Sequence, residues 1–314
     1  MKVFWICCIF SFLFLSKSSA CFNGESYYLK NNSLLFADIK DNFIPRGHDF
    51  FLDNFEKELI ELDSLYRKTD DLAYLSDYGL VLVLLKQYQH AEAVFMRIER
   101  QNPNSYATAA NLGTMYELMG ENQKAYTWLN KAISLDPSSH HGSEWIHLNI
   151  LKLKLSEPDS ISSMALIRTD FGLEPSPVTS LSKEEIIKLK DALLFQLNER
   201  LSFIKAPDLL VGHLLFDLAN VSQLISAEGR AKAYSIYVMA ERYGYNTPLL
   251  QLRKQNLRPI KTALPVETEL AKPNLLVQNK NYLYAAVGVI ILILLVITFS
   301  NYRNKKKELK KYHF

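Results

Sequence analysis

The hydrophobic pattern of this chain changes character several times. Met1 to Ala20 carries Lys2, an apolar run from Val3 to Leu15 and a small polar stretch ending at Ala20. That is the three-part layout of an export signal, with cleavage expected before Cys21. From 51 to 156 apolar residues recur at helical spacing. Phe51, Phe55, Leu59, Leu62 and Leu65 share one face of a predicted helix over Phe51–Arg67, and Trp145, Leu148, Leu151 and Leu155 share another over Ser143–Leu155. A second helical block runs from 182 to 257. Ser182 with Glu185 forms a capping box there, Leu181 and Ile186 supply its hydrophobic staple, and the first helix reaches Phe203. Leu209–Ile225 is apolar on more than one face and reads as a central, buried helix, followed by helices over Ala231–Tyr243 and Thr247–Gln255. Between the blocks, 157–181 reads as a linker, with a short helix and a loop holding Gly172, Pro175 and Pro177 over Ser160–Ser180, and 21–50 as an irregular segment rich enough in apolar groups to pack against the helices. The expected fold is all-α.

A longer period lies over this pattern. Gly79 recurs as Gly113, Ala91 as Ala125 and Pro103 as Pro137, each 34 residues on, so that 72–105 and 106–139 read as two copies of one unit. In the second copy Leu112, Gly113 and Tyr116 are followed by Ala125, Ala132 and Pro137; in the first, Leu82 replaces the tyrosine and Ile98 the second alanine. Each copy resembles a tetratricopeptide repeat, two antiparallel helices with small residues at their crossing and a proline at the exit. The resemblance implies a helix-turn-helix solenoid, which the degenerate C-terminal block extends. It also implies a partner groove lined by the first helix of each unit: Ser76, Leu80, Val83 and Leu84, then Asn111, Thr114, Glu117 and Leu118. Of the lysine, arginine and asparagine clamp by which members of this family hold a peptide C-terminus, only Asn111 has a counterpart, with Leu80 and Trp145 at polar clamp positions. Two occupants of such a groove stay open: a helix of a partner protein, or one of the chain's own, Phe51–Arg67 or Leu209–Ile225.

Composition and charge then place the chain. Residues 258–281, with Pro259, Pro265 and Pro273, read as a tether. The stretch 282–300 holds no charge over 19 residues. As a helix it would cover about 28 Å, enough to cross a bilayer. The tail 301–314 has six basic residues and one acidic, which places it in the cytoplasm and the bulk of the chain outside. Setting the tail and the two lysines of the leader aside turns the formal +3 into about −4 for 21–281, which argues against a nucleic-acid partner. Cys7 and Cys8 leave with the leader, so Cys21 is the one cysteine of the mature chain, either acylated or a free thiol. A sizeable exported domain without disulfides fits a bacterial envelope protein.

Candidate chemistry is sparse. His140, Glu144 and His147 form the one cluster of metal-ligand residue types, at i, i+4 and i+7, but no His-Glu-x-x-His is present and no cysteine joins them. No nucleophile elbow and no glycine-rich phosphate loop occur. Hence no cofactor, no metal and no catalytic residue are assigned. Three readings follow. The first is an exported, membrane-anchored scaffold that binds another protein. The second is a structural subunit of an envelope complex whose groove is filled internally. The third is a metal-dependent or hydrolytic module around His140–His147.

Overall fold

The 34-residue period becomes two helix pairs in a computed structural model that describes residues 26–257, apart from 39, 40, 53 and 159. The expectations for 1–20, Cys21, 258–281, 282–300 and 301–314 lie outside those residues. Helix α2 (Leu72–Leu84) packs on α3 (Tyr88–Gln101), and α4 (Tyr106–Leu118) on α5 (Asn122–Leu135). Asp71 caps α2 by accepting from the Ala73 N–H, and Ser105 caps α4 by accepting from Thr108. The first helix of each pair is buried nearly all round. The second buries only a stripe, Ala91, Phe95 and Ile98 in α3 and Ala125, Leu129 and Ala132 in α5, so it forms the outer layer. Helix α1 (Phe55–Thr69) precedes them, started by Asn54, whose side chain accepts from the Lys57 N–H; Phe51 therefore lies before the helix and is exposed. Helix α6 (Glu144–Ser156) stacks next, after a short 3-10 turn at His140–Gly142.

The two equivalent glycines are not equivalent in space. A Cβ on Gly79 would stand 2.7 Å from the ring of Phe95, which is fully buried; on Gly113 it would meet Leu129 at ordinary contact distance, 3.4 Å and beyond. Leucine in place of the aromatic has left room in the second copy. Gly79→Ala is expected to destabilise the protein by about 1–3 kcal/mol through overpacking. Gly113→Ala should be neutral or stabilise by about 0.5–1 kcal/mol, because alanine is the better helix former. Thermal melting of the two variants side by side checks this; equal losses at both sites would overturn it.

Residues 157–181 are more than a connection. They include α7 (Ser163–Ile167), and Leu166, Ile167 and Phe171 are buried in the same core as Ile146 and Ile150 of α6. That core continues through α8 (Lys183–Phe203), α9 (Leu209–Ile225), α10 (Ala227–Arg242) and α11 (Pro248–Leu257). The capping box at Ser182 and Glu185 is formed, and Val211 to Ser222 of α9 are buried without interruption. The described residues thus belong to one compact unit, in which the expected short helix of the linker is α7 and packs into the core.

The all-α expectation is corrected at the N-terminal segment. Strands β1 (Ser26–Tyr28) and β2 (Leu34–Ala37) pair antiparallel around a turn in which Asn32 takes a left-handed conformation. A hairpin this short is marginal alone. It is held because Leu29, Leu35 and Phe36 are buried against Leu62, Leu80 and Val81 of α1 and α2. Each such side chain contributes about 1.5–3 kcal/mol. Residues 41–50 then run along α8, where the backbone N–H groups of Arg46 and His48 donate to Asn198 Oδ1 and Ser202 Oγ.

Candidate functional site

The face made by the first helices α2, α4 and α6 is the expected groove, and the chain itself covers it. Leu80 is 1% exposed beneath the hairpin, and Leu84 packs against the same cluster. Ser76 and Asn111 are buried, and Val83 turns inward to the core of Ala91, Phe95 and Ile98. Asp77 of α2 fixes the hairpin by accepting from the Lys30 N–H (2.5 Å) and the Tyr27 hydroxyl (3.3 Å). Burial pushes its carboxyl up to about 6. Only Thr114, Glu117 and Leu118 still face a cavity, of about 220 Å³, and α8 forms its opposite wall with Gln196, Arg200 and Phe203. The hairpin, with Leu62 of α1, covers the α2 part of this face, and α8 stands opposite α4 across the cavity.

Charge holds α8 there. The Glu117 carboxylate receives Arg200 Nη1 at 3.0 Å and Nη2 at 3.4 Å, Lys154 Nζ at 2.7 Å and His147 Nε2 at 2.5 Å. Burial opposes its charge, but Arg200, then His147 and Lys154, hold it well below the usual carboxylate range. The other ring nitrogen of His147 lies 3.4 Å from Glu144 Oε2, so both nitrogens face carboxylates, and although burial disfavours its charge, Glu117 and then Glu144 raise it above the ordinary histidine value. Glu144 also bonds His140 Nδ1 and is kept ionised by the two histidines against its burial. Gln196 Nε2 donates to Ser143 Oγ at 3.0 Å.

The structure thus brings His140, Glu144 and His147 together at the start of α6, as their spacing allows. Their donor atoms are turned to one another and to Glu117. Among the described residues no group of three or more His, Cys, Asp or Glu is disposed to hold a metal ion.

Residues 107–139 match the tetratricopeptide repeat family. The first copy is tied to it by the 34-residue offset and by the packing of α2 on α3, which follows that of α4 on α5. No curated protein and no solved structure matches the chain. Tetratricopeptide repeats imply protein partners and suggest an interaction scaffold.

Three parts of the site escaped the sequence reading. Arg200 had one available signal: it lies at i+7 from Leu193 and i+3 from Leu197, a lone cation on the apolar stripe of α8. His48 had none. It is clamped between Asp38 (Nδ1, 2.9 Å) and Glu199 (Nε2, 3.1 Å), joining the N-terminal segment to α8. Burial disfavours its charge, but Glu199 and then Asp38 outweigh this and raise it to about 9. Glu199 itself is pushed up by burial against the pull of His48. Since the folded value lies above an unfolded one near 6.5, this clamp contributes fully below about pH 6.5 and is lost as pH rises through about 9. Stability is expected to fall by roughly 2–3 kcal/mol across that window, and His48→Gln to remove most of the slope. Urea midpoints from pH 6 to 10 check this; identical slopes for the two proteins would refute it.

The third part is a serine, histidine and aspartate set. Ser163 Oγ lies 3.0 Å from His213 Nε2 and donates to Asp217 Oδ1 at 2.6 Å. Burial alone takes His213 down to about 4. Burial also takes Asp217 up to about 8, against the hydrogen bond from Ser163 and the charge of Arg253, so both groups are neutral at pH 7. The carboxyl group meets the hydroxyl and not the far nitrogen of the imidazole, as activation of a nucleophile would need. None of the three lines the cavity at Glu117 or the cleft beside His48. Their arrangement braces α7 on α9.

Proposed function

We propose that this chain is an exported, membrane-tethered helical-repeat scaffold of the cell envelope. Its repeat groove is part of its own architecture, and a partner protein is held on its remaining surface. The observation that carries this reading is the occupation of the groove: Leu80 is sealed under Phe36, and Glu117 is ion-paired to Arg200 of α8. A preformed groove for a partner helix would leave these groups facing solvent. The leader pattern of 1–20, the uncharged run 282–300 and the basic tail support export with a single C-terminal anchor, and the acidic balance of 21–281 opposes a nucleic-acid role.

In-membrane photo-crosslinking with mass spectrometry tests it, with the cross-linker placed either at Thr114 inside the groove or at Ile60, which is 73% exposed on α1. The expected result is reproducible protein adducts from outer positions and none from Thr114. Adducts concentrated at Thr114 would restore the open-groove scaffold; the absence of any reproducible protein adduct would sink both.

A further inference from the structure

Helix α11 spends a fully buried arginine on a loop. Arg253 Nη2 donates to the carbonyls of Phe171 and Gly172 at 2.7 Å each, and Nε to that of Glu174 at 3.2 Å. One turn on, Asn256 Nδ2 donates to Pro175 O at 3.2 Å and Ser176 Oγ at 3.0 Å. The loop also closes on itself, Val178 N–H donating to Phe171 O at 3.0 Å, and Pro175 and Pro177 stiffen it. Ordering a surface loop costs backbone entropy, so so many bonds to main-chain carbonyls hold a defined shape. At its tip stands Leu173, at 82% the most exposed large hydrophobic side chain among the described residues, with Val178 at 53% on the same loop and Leu252 at 40% beside Arg253 on α11.

A convex tip of this size is far short of the roughly 800 Å² that a stable protein partner covers on each side. A fluid lipid interface accepts such a tip without a matching surface. In sequence, α11, which carries Arg253 and Asn256, precedes the tether 258–281 and the uncharged run 282–300. Asp170 and Glu174 flank the tip, which fits a zwitterionic headgroup layer better than an anionic one.

We propose that the Phe171–Val178 loop is a membrane-contacting tip that seats Leu173 in the interfacial layer of a zwitterionic bilayer. This rests on the anchored reading above, and the test separates the two. The full chain, with Cys7, Cys8 and Cys21 replaced by serine and Leu173→Cys labelled with bimane, is reconstituted into phosphatidylcholine–phosphatidylethanolamine vesicles. An otherwise identical chain labelled at Ile60→Cys serves as the reference. Leu173 is so exposed that its replacement leaves the fold intact. The expected result is a blue-shifted emission at position 173 that headgroup-labelled nitroxide lipid quenches, a water-like unquenched emission at position 60, and weaker quenching at 173 when phosphatidylglycerol is added. Solvent-like emission at 173 in protein that floats with the vesicles overturns the loop contact and leaves the anchor standing. A blue shift without lipid quenching means the loop is buried on protein, and equal quenching at both positions removes its special role; either result overturns the proposal. Failure of the chain to float at all overturns the anchored reading beneath it.

Discussion

Replacing Glu117 by glutamine is expected to cost about 3–5 kcal/mol of folding stability, the effect of stranding buried charge. Glutamine fills the same space, so the loss is electrostatic and not a cavity. Arg200, Lys154 and His147 all lean on this one carboxylate, and the side chains of Arg200 and His147 are at least nine-tenths buried. Arg200→Met should cost clearly less, because Glu117 keeps Lys154 and His147. The double replacement should cost less than the sum of the singles, since each change removes part of the reason for the other. The pH dependence has a definite sign. Glu117 sits well below 4.5 in the folded chain, so its contribution is present above the unfolded value and is lost as pH falls through the folded one. The gap between the wild type and Glu117→Gln should hold at neutral pH and narrow only in strong acid. Urea denaturation of the full chain in detergent, followed by far-UV circular dichroism, measures all of this. A Glu117→Gln protein within about 0.5 kcal/mol of the wild type would show that α8 is not held through this charge.

The second large effect is expected at Arg253. It is fully buried and donates to Asn220 Oδ1 at 2.7 Å as well as to the carbonyls of Phe171, Gly172 and Glu174, and its guanidinium lies 5.3 Å from the ring centre of Phe216. Arg253→Met keeps the apolar stem, removes the arginine donors from the carbonyls of Gly172 and Glu174, and leaves Asn220 Oδ1 with the Tyr237 hydroxyl and Phe171 O with the Val178 N–H. A loss of about 3–5 kcal/mol follows from several charge-assisted bonds vanishing inside the protein. Arg253→Lys should recover only part of it, because an ammonium cannot span acceptors spread along a planar fork. Hydrogen exchange supplies the local readout. The Val178 amide, bonded to Phe171 O, should exchange much faster in Arg253→Met, while the amides of α4 stay protected. Uniform loss of protection through both regions would mean that Arg253 supports the whole core and not this loop in particular.

Much of the helical layout was open to local reading. The caps at Asp71, Ser105 and Ser182 satisfy amides two or three residues on, so chain neighbours suffice to define them. The buried stripe Ala91, Phe95 and Ile98 is a 3.6-residue period, and the burial of α9 is foreshadowed by a segment apolar on more than one face. The hairpin was missed because three and four residues are too few to establish a two-residue alternation. The packed state of 157–181 was missed because Leu166, Ile167 and Phe171 are too closely spaced, among Gly172, Pro175 and Pro177, to show a period. The candidate site was half visible. His140, Glu144 and His147 stood out by spacing, yet their partners Glu117 and Arg200 come from α4 and α8, and Arg200 is 83 residues from Glu117.

The 34-residue period, by itself, determined that α2–α3 and α4–α5 are paired alike, because small residues at a fixed offset admit two helix backbones to close approach. It could not determine what lies in the groove those pairs form. Helix α8 shows one stripe to the periodicity, Leu189, Leu193, Leu197 and Leu201, and that stripe belongs to the C-terminal core. Its hold on the groove runs through Gln196 and Arg200, two polar residues whose meaning depends on a carboxylate brought beside them by the folding of the chain between. Hydrophobic spacing is a local property and is written along the sequence. Charge pairing is a property of distance in space, and only the tertiary structure supplies that distance.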